Sequence, residues 1–169
     1  MMNNMINNLQ MFLKEIYEKQ GWDLYNPFVD SNFLLEEWGE VGECMIERAD
    51  FGKFVEEIGD VLGALLSIGN RNELLISEQV QPKTITLNSE RVYIMVSHKL
   101  GLLAREVRRK EIGRHYHQQS EENLNTKEYF HKVWLDAIQS IIDFCSALNI
   151  DFEDVIKEHR FKMRVTYLN

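Results

Sequence analysis

Residues 31–70 read SNFLLEEWGEVGECMIERADFGKFVEEIGDVLGALLSIGN, and two patterns are superimposed on them. Apolar residues recur at spacings of three and four: Leu34, Trp38, Val41 and Met45 first, then Val55, Ile58, Val61, Leu62 and Leu65. That is the stripe of an amphipathic helix. The stretch therefore predicts two helices, one capped by Asp30 or Ser31 and running to about Asp50, the next running from about Lys53 to Asn70. The acids follow a second pattern. Glu37 and Glu40 stand three residues apart, as do Glu57 and Asp60, so each pair projects two carboxylates from one helix face about a turn high.

Outward from this core the same helical period continues. Ile6, Leu9, Leu13 and Ile16 predict a first helix from about Asn4 to Gln20, with Gly21 where a C-terminal cap belongs. The segment GWDLYNPFVD that follows reads as loop. Past an irregular stretch holding Pro82 and the β-favouring Thr84-Ile85-Thr86, a fourth helix is expected from about Ser89 to Ile112, with Val92, Met95, Leu103 and Val107 inward. After the polar loop GRHYHQQSEENLN, Asn125 with Glu128 reads as a capping box for a fifth helix to about Leu148, and Asp151 can cap a short sixth. Short connections between helices make an antiparallel bundle, so the expected architecture is one all-α domain over 1–169.

Composition agrees with that reading. The chain has 169 residues, 44% of them hydrophobic, enough for a core, with only two prolines to interrupt helices. No apolar run reaches the roughly 18 to 20 residues of a membrane span, and the start, MMNNMINNLQMF, lacks the basic flank and apolar run of a signal peptide. A cytoplasmic protein without membrane contact is expected. Cys44 and Cys145 sit inside apolar-periodic segments and are expected in the core, not in a disulfide or a zinc site.

The net charge of −8 is concentrated: between Glu36 and Asp60 there are nine acids against Arg48 and Lys53 alone. Such a field repels nucleic acid and bare nucleotides unless cations bind there first. Ile58, Val61 and Leu62 are interleaved with Glu57 and Asp60, and lysines that would lace an exposed helix at i+4 are missing from both segments. A bundle that brings the two acidic faces together needs a divalent cation between them, and all-oxygen ligation suits magnesium or manganese. Gly39 and Gly59 lie beside the acids, where a small residue lets a ligand or a neighbouring helix come close.

Glu36-Glu37-Trp38-Gly39-Glu40, sixteen intervening residues, then Glu57-Ile58-Gly59-Asp60 resembles the signature of the all-α nucleoside triphosphate pyrophosphohydrolases, the group of MazG-like proteins, dimeric dUTPases and phosphoribosyl-ATP pyrophosphohydrolase. The resemblance implies a MazG-like bundle in which Glu37, Glu40, Glu57 and Asp60 are magnesium ligands, with Glu36 their neighbour and a candidate catalytic base. It also implies cleavage of a nucleoside triphosphate between the α and β phosphates, releasing monophosphate and pyrophosphate, as in house-cleaning of the nucleotide pool. The tail, LNIDFEDVIKEHRFKMRVTY, resembles that family's closing helix, with Arg164 and Tyr167 in place but His159 and Met163 where it usually has Lys and Asn.

The second half repeats the plan. HKLGLLAREV can be laid on EEWGEVGECM with Gly101 under Gly39, and FHKVWLDAIQSII on FVEEIGDVLGALL with Phe130 under Phe54 and Asp136 under Asp60. An active-type repeat of about 31–70 is then followed by a degenerate one of about 89–167. His98, Lys99, Leu102 and Val133 replace Glu36, Glu37, Glu40 and Glu57, so this half is expected to bind no metal. Its basic residues, Lys99 and Arg105 among them, are candidates with Arg164 for contacts to phosphate. Trp22, Tyr25 and Phe28 precede the acidic helix closely enough to overhang it, and Trp22 is the candidate for stacking on a base.

Two other readings stay open. One is a helical partner or nucleotide sensor without catalysis; the other is a di-iron carboxylate bundle, which needs Glu-x-x-His on two helices where only Glu128-Tyr-Phe-His131 matches. His115 and His117 read as solvated loop residues. A nucleoside triphosphate is the expected partner, and self-association as a homodimer is left open.

Overall fold

The computed structural model consists of six helices, α1 (Met2–Gln20), α2 (Pro27–Glu47), α3 (Phe51–Arg71), α4 (Ser89–Tyr116), α5 (Thr126–Ala147) and α6 (Phe152–Tyr167). It describes residues 2–22, 27–76, 80–116 and 126–168, the side chains of 27, 28, 111–116 and 126 excepted. Tyr25, His117 and Asn125, with the side chains of Phe28 and His115, lie outside the described residues. The architecture is the all-α bundle the periodicity predicts. No strand forms among the described residues, Thr84-Ile85-Thr86 included.

Helices α2 and α3 form one hairpin and α4 and α5 another; α2 lies against α4, and α3 against α5. Helix α3 is the centre, since it also packs on α1 and α6. Its sequence explains the position: from Val55 to Gly69 nearly every residue is apolar or small, so it is buried all round and not along one stripe.

Two tryptophans fasten the hairpins. Trp38 of α2 stacks on Tyr93 at 4.6 Å, meets Phe144 edge-on at 5.3 Å, and donates its indole N–H to Ser97 Oγ at 2.8 Å. Trp134 of α5 is fully buried, donates to the Leu65 carbonyl at 2.7 Å, and fills the space a side chain at Gly69 would occupy. A buried indole is stable only when its N–H is satisfied, and both are.

Helix ends follow local chemistry. Gly21 ends α1 with φ of +65°, Asp50 caps α3 by accepting from the Lys53 N–H at 3.0 Å, and Asp151 caps α6 by accepting from Glu153 N–H at 2.9 Å. The expected start of α2 at Asp30 or Ser31 is corrected: Pro27 opens the helix, its missing N–H costing nothing at the first position, and Asp30 sits in the first turn. Met95 is also corrected. The buried stripe of α4 runs Val92, Val96, Leu100, Leu103 and Val107, and Met95, one residue off it, is 51% exposed. Cys44 and Cys145 are buried and unbonded to each other, as expected of core residues.

Candidate metal centre and adjoining cleft

The short link between α2 and α3 makes the hairpin antiparallel, so residues near its turn pair early and those at its open end pair late. Glu40 and Glu57 bring their carboxylates together, and at the open end Arg71 Nη2 lies 2.5 Å from Asp30 Oδ2. Between these rungs stand Glu37 and Asp60. One oxygen each from Glu37, Glu40 and Glu57 falls within 4.8 Å of the other two, with Glu37 and Glu57 buried and Glu40 exposed. The two acidic faces therefore meet as the spacing predicts.

Electrostatics sets Glu37 and Asp60 apart. Burial, reinforced by Asp60, Glu40 and Glu57, pushes the Glu37 carboxyl up from about 4.5 to about 7. Contact with Glu57 raises Glu40 as well. Burial works against the charge of Asp60 too, but His159 and Lys162 outweigh it and hold this carboxyl below its usual range. His159 Nδ1 lies 3.2 Å from Asp60 Oδ1, and Lys162 Nζ lies 2.6 Å from Oδ2 and 3.0 Å from Glu56 Oε1.

The seat of His159 is built into α3. A methyl group at Gly63 would lie 2.5 Å from His159 Nε2, and one at Gly59 would lie 3.0 Å from its Cβ. Gly59 thus admits a neighbouring helix, α6, while Gly39 faces open space. One sequence expectation needs amending here. A lacing lysine does exist, because Lys53, four residues before Glu57, pairs with it along α3.

Next to the acids opens a cleft of about 740 Å³, bounded by Glu37, Asp60, His159 and Lys162 at the acidic end and by aromatic residues beyond. Trp22 stands in its wall, 5.1 Å from Tyr17 and edge-on to Tyr167 at 4.8 Å. Tyr17, pushed up to about 12 by burial and by Asp30, lines the cleft with Phe33 and Ser67.

Of the residues singled out in the sequence, the structure brings Glu37, Glu40, Glu57, Asp60 and Trp22 to this one region. It leaves Glu36 exposed and outside the cleft wall. Lys99 is engaged with Asp136 at 3.3 Å, Arg105 with Glu106 at 3.3 Å, and Arg164 is exposed; none of the three lines the cleft. His131 contacts the Leu75 carbonyl at 3.0 Å, not a carboxylate cluster. Lys162, which reaches Asp60 as Lys53 reaches Glu57, has a signal in the sequence: it follows His159 by three and so borders the buried stripe Val155, Ile156, His159 and Met163.

No family model and no solved structure matches the chain significantly. Among curated proteins, the uncharacterized protein YvdC of Bacillus subtilis is similar, 33% identical over 70 residues. The match takes in 32% of this chain and 65% of that protein, so the chain spans somewhat less than two thirds of this relative. No single helix is long and apolar enough to cross a membrane.

Proposed function

We propose that the protein is a magnesium-dependent nucleoside triphosphate pyrophosphohydrolase that releases a monophosphate and pyrophosphate. The observation that carries this reading is the convergence of Glu37, Glu40 and Glu57 from two helices, with Glu37 and Asp60 also lining an aromatic cleft large enough for a nucleotide. The resemblance of the two acidic motifs to the all-α pyrophosphohydrolases supports it and names the bond.

Carboxylates this close fit a hard divalent cation, because an ion between them offsets the burial and the mutual repulsion that raise Glu37 and Glu40. Glu37, Glu40 and Glu57 would hold the ion, with Asp60 adjoining. Bound magnesium supplies charge neutralisation at the phosphates and a water of lowered pKa. The chain's own groups do the rest. Lys162 adds a cation at the acidic end of the cleft, His159 steadies Asp60, and Trp22 and Tyr17 give the base a surface to stack on. Glu36, exposed and next to Glu37 in the sequence, or another outer carboxylate is the candidate for accepting a proton.

The test is a screen of ribo- and deoxynucleoside triphosphates with detection of pyrophosphate, in magnesium and in EDTA. Magnesium-dependent pyrophosphate from at least one nucleotide is expected. Tight magnesium-dependent nucleotide binding without turnover would instead identify a sensor, and orthophosphate as the sole product would reject the assigned bond.

A further inference from the structure

We infer that the outer face of helices α2 and α4 is an interface between two copies of this chain, in which the acidic end of each copy meets the basic end of the other. None of the residues that carry this reading lines the cleft, so it stands apart from the proposed activity.

Helices α2 and α4 run antiparallel along their seam, since Trp38 meets Ser97 while Gly42, further along α2, meets Tyr93, earlier on α4. Spacings of four and seven place Leu35, Gly39 and Glu43 on the outer side of α2, and Ile94, Gly101 and Arg108 on that of α4. All six are exposed. The middle of the face is apolar: Ile94 is 67% exposed, with Leu35 and Met95 about half exposed near it. Gly39 and Gly101 stand in the same stretch, and a methyl group at either would meet nothing within 4 Å. A glycine inside an exposed helix costs about 1 kcal/mol against alanine, and among the described residues no contact calls for one at either position. A second backbone coming close from outside does call for it.

The two ends of the face differ in sign. From Glu36 to Glu47 α2 has acids and no basic residue, with Glu43 and Glu47 exposed. From Arg105 to Arg109 α4 has three arginines against Glu106 alone, which engages Arg105 and Arg109. The antiparallel register sets these arginines beside the start of α2, at the other end of the face from Glu43 and Glu47. An isologous pair uses the same face twice, so a second copy turned end for end brings Arg108 of each toward Glu43 of the other and covers the apolar middle with itself. Two helices about 30 Å long, side by side, offer on the order of 600 Å² in outline, close to the ~800 Å² that each partner gives a standard interface. The exposed apolar pair on α6, Phe161 and Val165, alternates instead with Arg160 and Arg164, and two copies meeting there would repel.

The experiment is sedimentation velocity of the full chain over a range of concentrations. The wild type should sediment as a dimer, with twice the 20.0 kDa of the chain. Ile94→Asp should raise the dimer dissociation constant at least ~30-fold, the loss of a central contact, and Phe161→Asp should leave it unchanged. Glu43→Arg and Arg108→Glu should each weaken the dimer ~10-fold through like charges brought together, and the double variant, with the signs exchanged, should recover most of that loss. A wild type that stays monomeric at tenth-millimolar protein overturns the inference. So does a dimer broken by Phe161→Asp and not by Ile94→Asp, or a double variant weaker than either single change. All four positions are exposed, and circular dichroism checks that each variant folds; should Ile94→Asp not fold, the charge exchange decides.

Discussion

Glu40 and Glu57 bring two carboxylates together across the hairpin, and that contact raises the Glu40 carboxyl. Glu40→Gln removes one charge from the cluster, so it should raise the metal-free melting temperature by a few degrees and remove one ligand. Magnesium-dependent activity should fall at least ~100-fold, as when a positioned charge is lost from a reacting centre. Calorimetry in EDTA beside a pyrophosphate assay separates the effects, and unchanged turnover would reject the ligand assignment. Glu37 gives a pH signature. Its carboxyl ionises near 7 in the folded protein and near 4.5 otherwise, so the folded state keeps a proton that the unfolded chain gives up. Stability from this group is then intact below about pH 4.5 and declines as pH rises through 7, a slope of the sign expected when the native state binds more protons. Urea denaturation in EDTA from pH 5 to 8 should show this decline. Glu37→Gln should flatten it, and magnesium should restore stability at the alkaline end by binding the native state.

At the level of helices, the interlock of α6 with α3 governs whether the cleft has a wall. Gly63→Ala places a methyl group against His159 and should destabilise the protein by about 1–3 kcal/mol, the usual cost of overpacking. In a His159→Ala background that clash disappears, so the double variant should lose much less than the sum of the two single changes. Additive losses would show that Gly63 is small for another reason. This contact also marks where reading the sequence reaches its limit. Every helix was legible, because stripes such as Ile6, Leu9, Leu13 and Ile16 obey one period, and so were Glu37, Glu40, Glu57 and Asp60, because acids three apart share a face. Contacts between elements distant in sequence were not. Lys162 lies 102 residues from the aspartate it holds, and although it borders the buried stripe of α6, nothing local in RFKMR says which acid it meets. Arg164 looked equivalent and is exposed because it lies two residues further round α6.

Across the whole molecule, two helical hairpins lie side by side with α2 on α4 and α3 on α5, the arrangement a doubled hairpin would give. Laid over the acidic hairpin, Lys99 takes the position of Glu37 and Asp136 that of Asp60, and these two meet at 3.3 Å. A lysine ammonium thus stands where the other hairpin gathers carboxylates, and it neutralises the aspartate from within the chain. The central position of α3 adds a second asymmetry, because α6 closes on the acidic hairpin and barely touches α5, so only one half acquires a cleft wall. Asp136 and Asp60 should therefore respond oppositely to the same substitution. Asp60→Asn removes a carboxylate that borders the proposed metal centre and anchors Lys162, and should abolish turnover. Asp136→Asn breaks a pair whose side chains are 39% and 44% exposed, worth at most about 1 kcal/mol, and should leave kcat/KM within about twofold of wild type. Kinetics and denaturation of the two variants side by side decide the matter: a loss of activity in Asp136→Asn as severe as in Asp60→Asn would mean that the second hairpin takes part in the chemistry and is not scaffold.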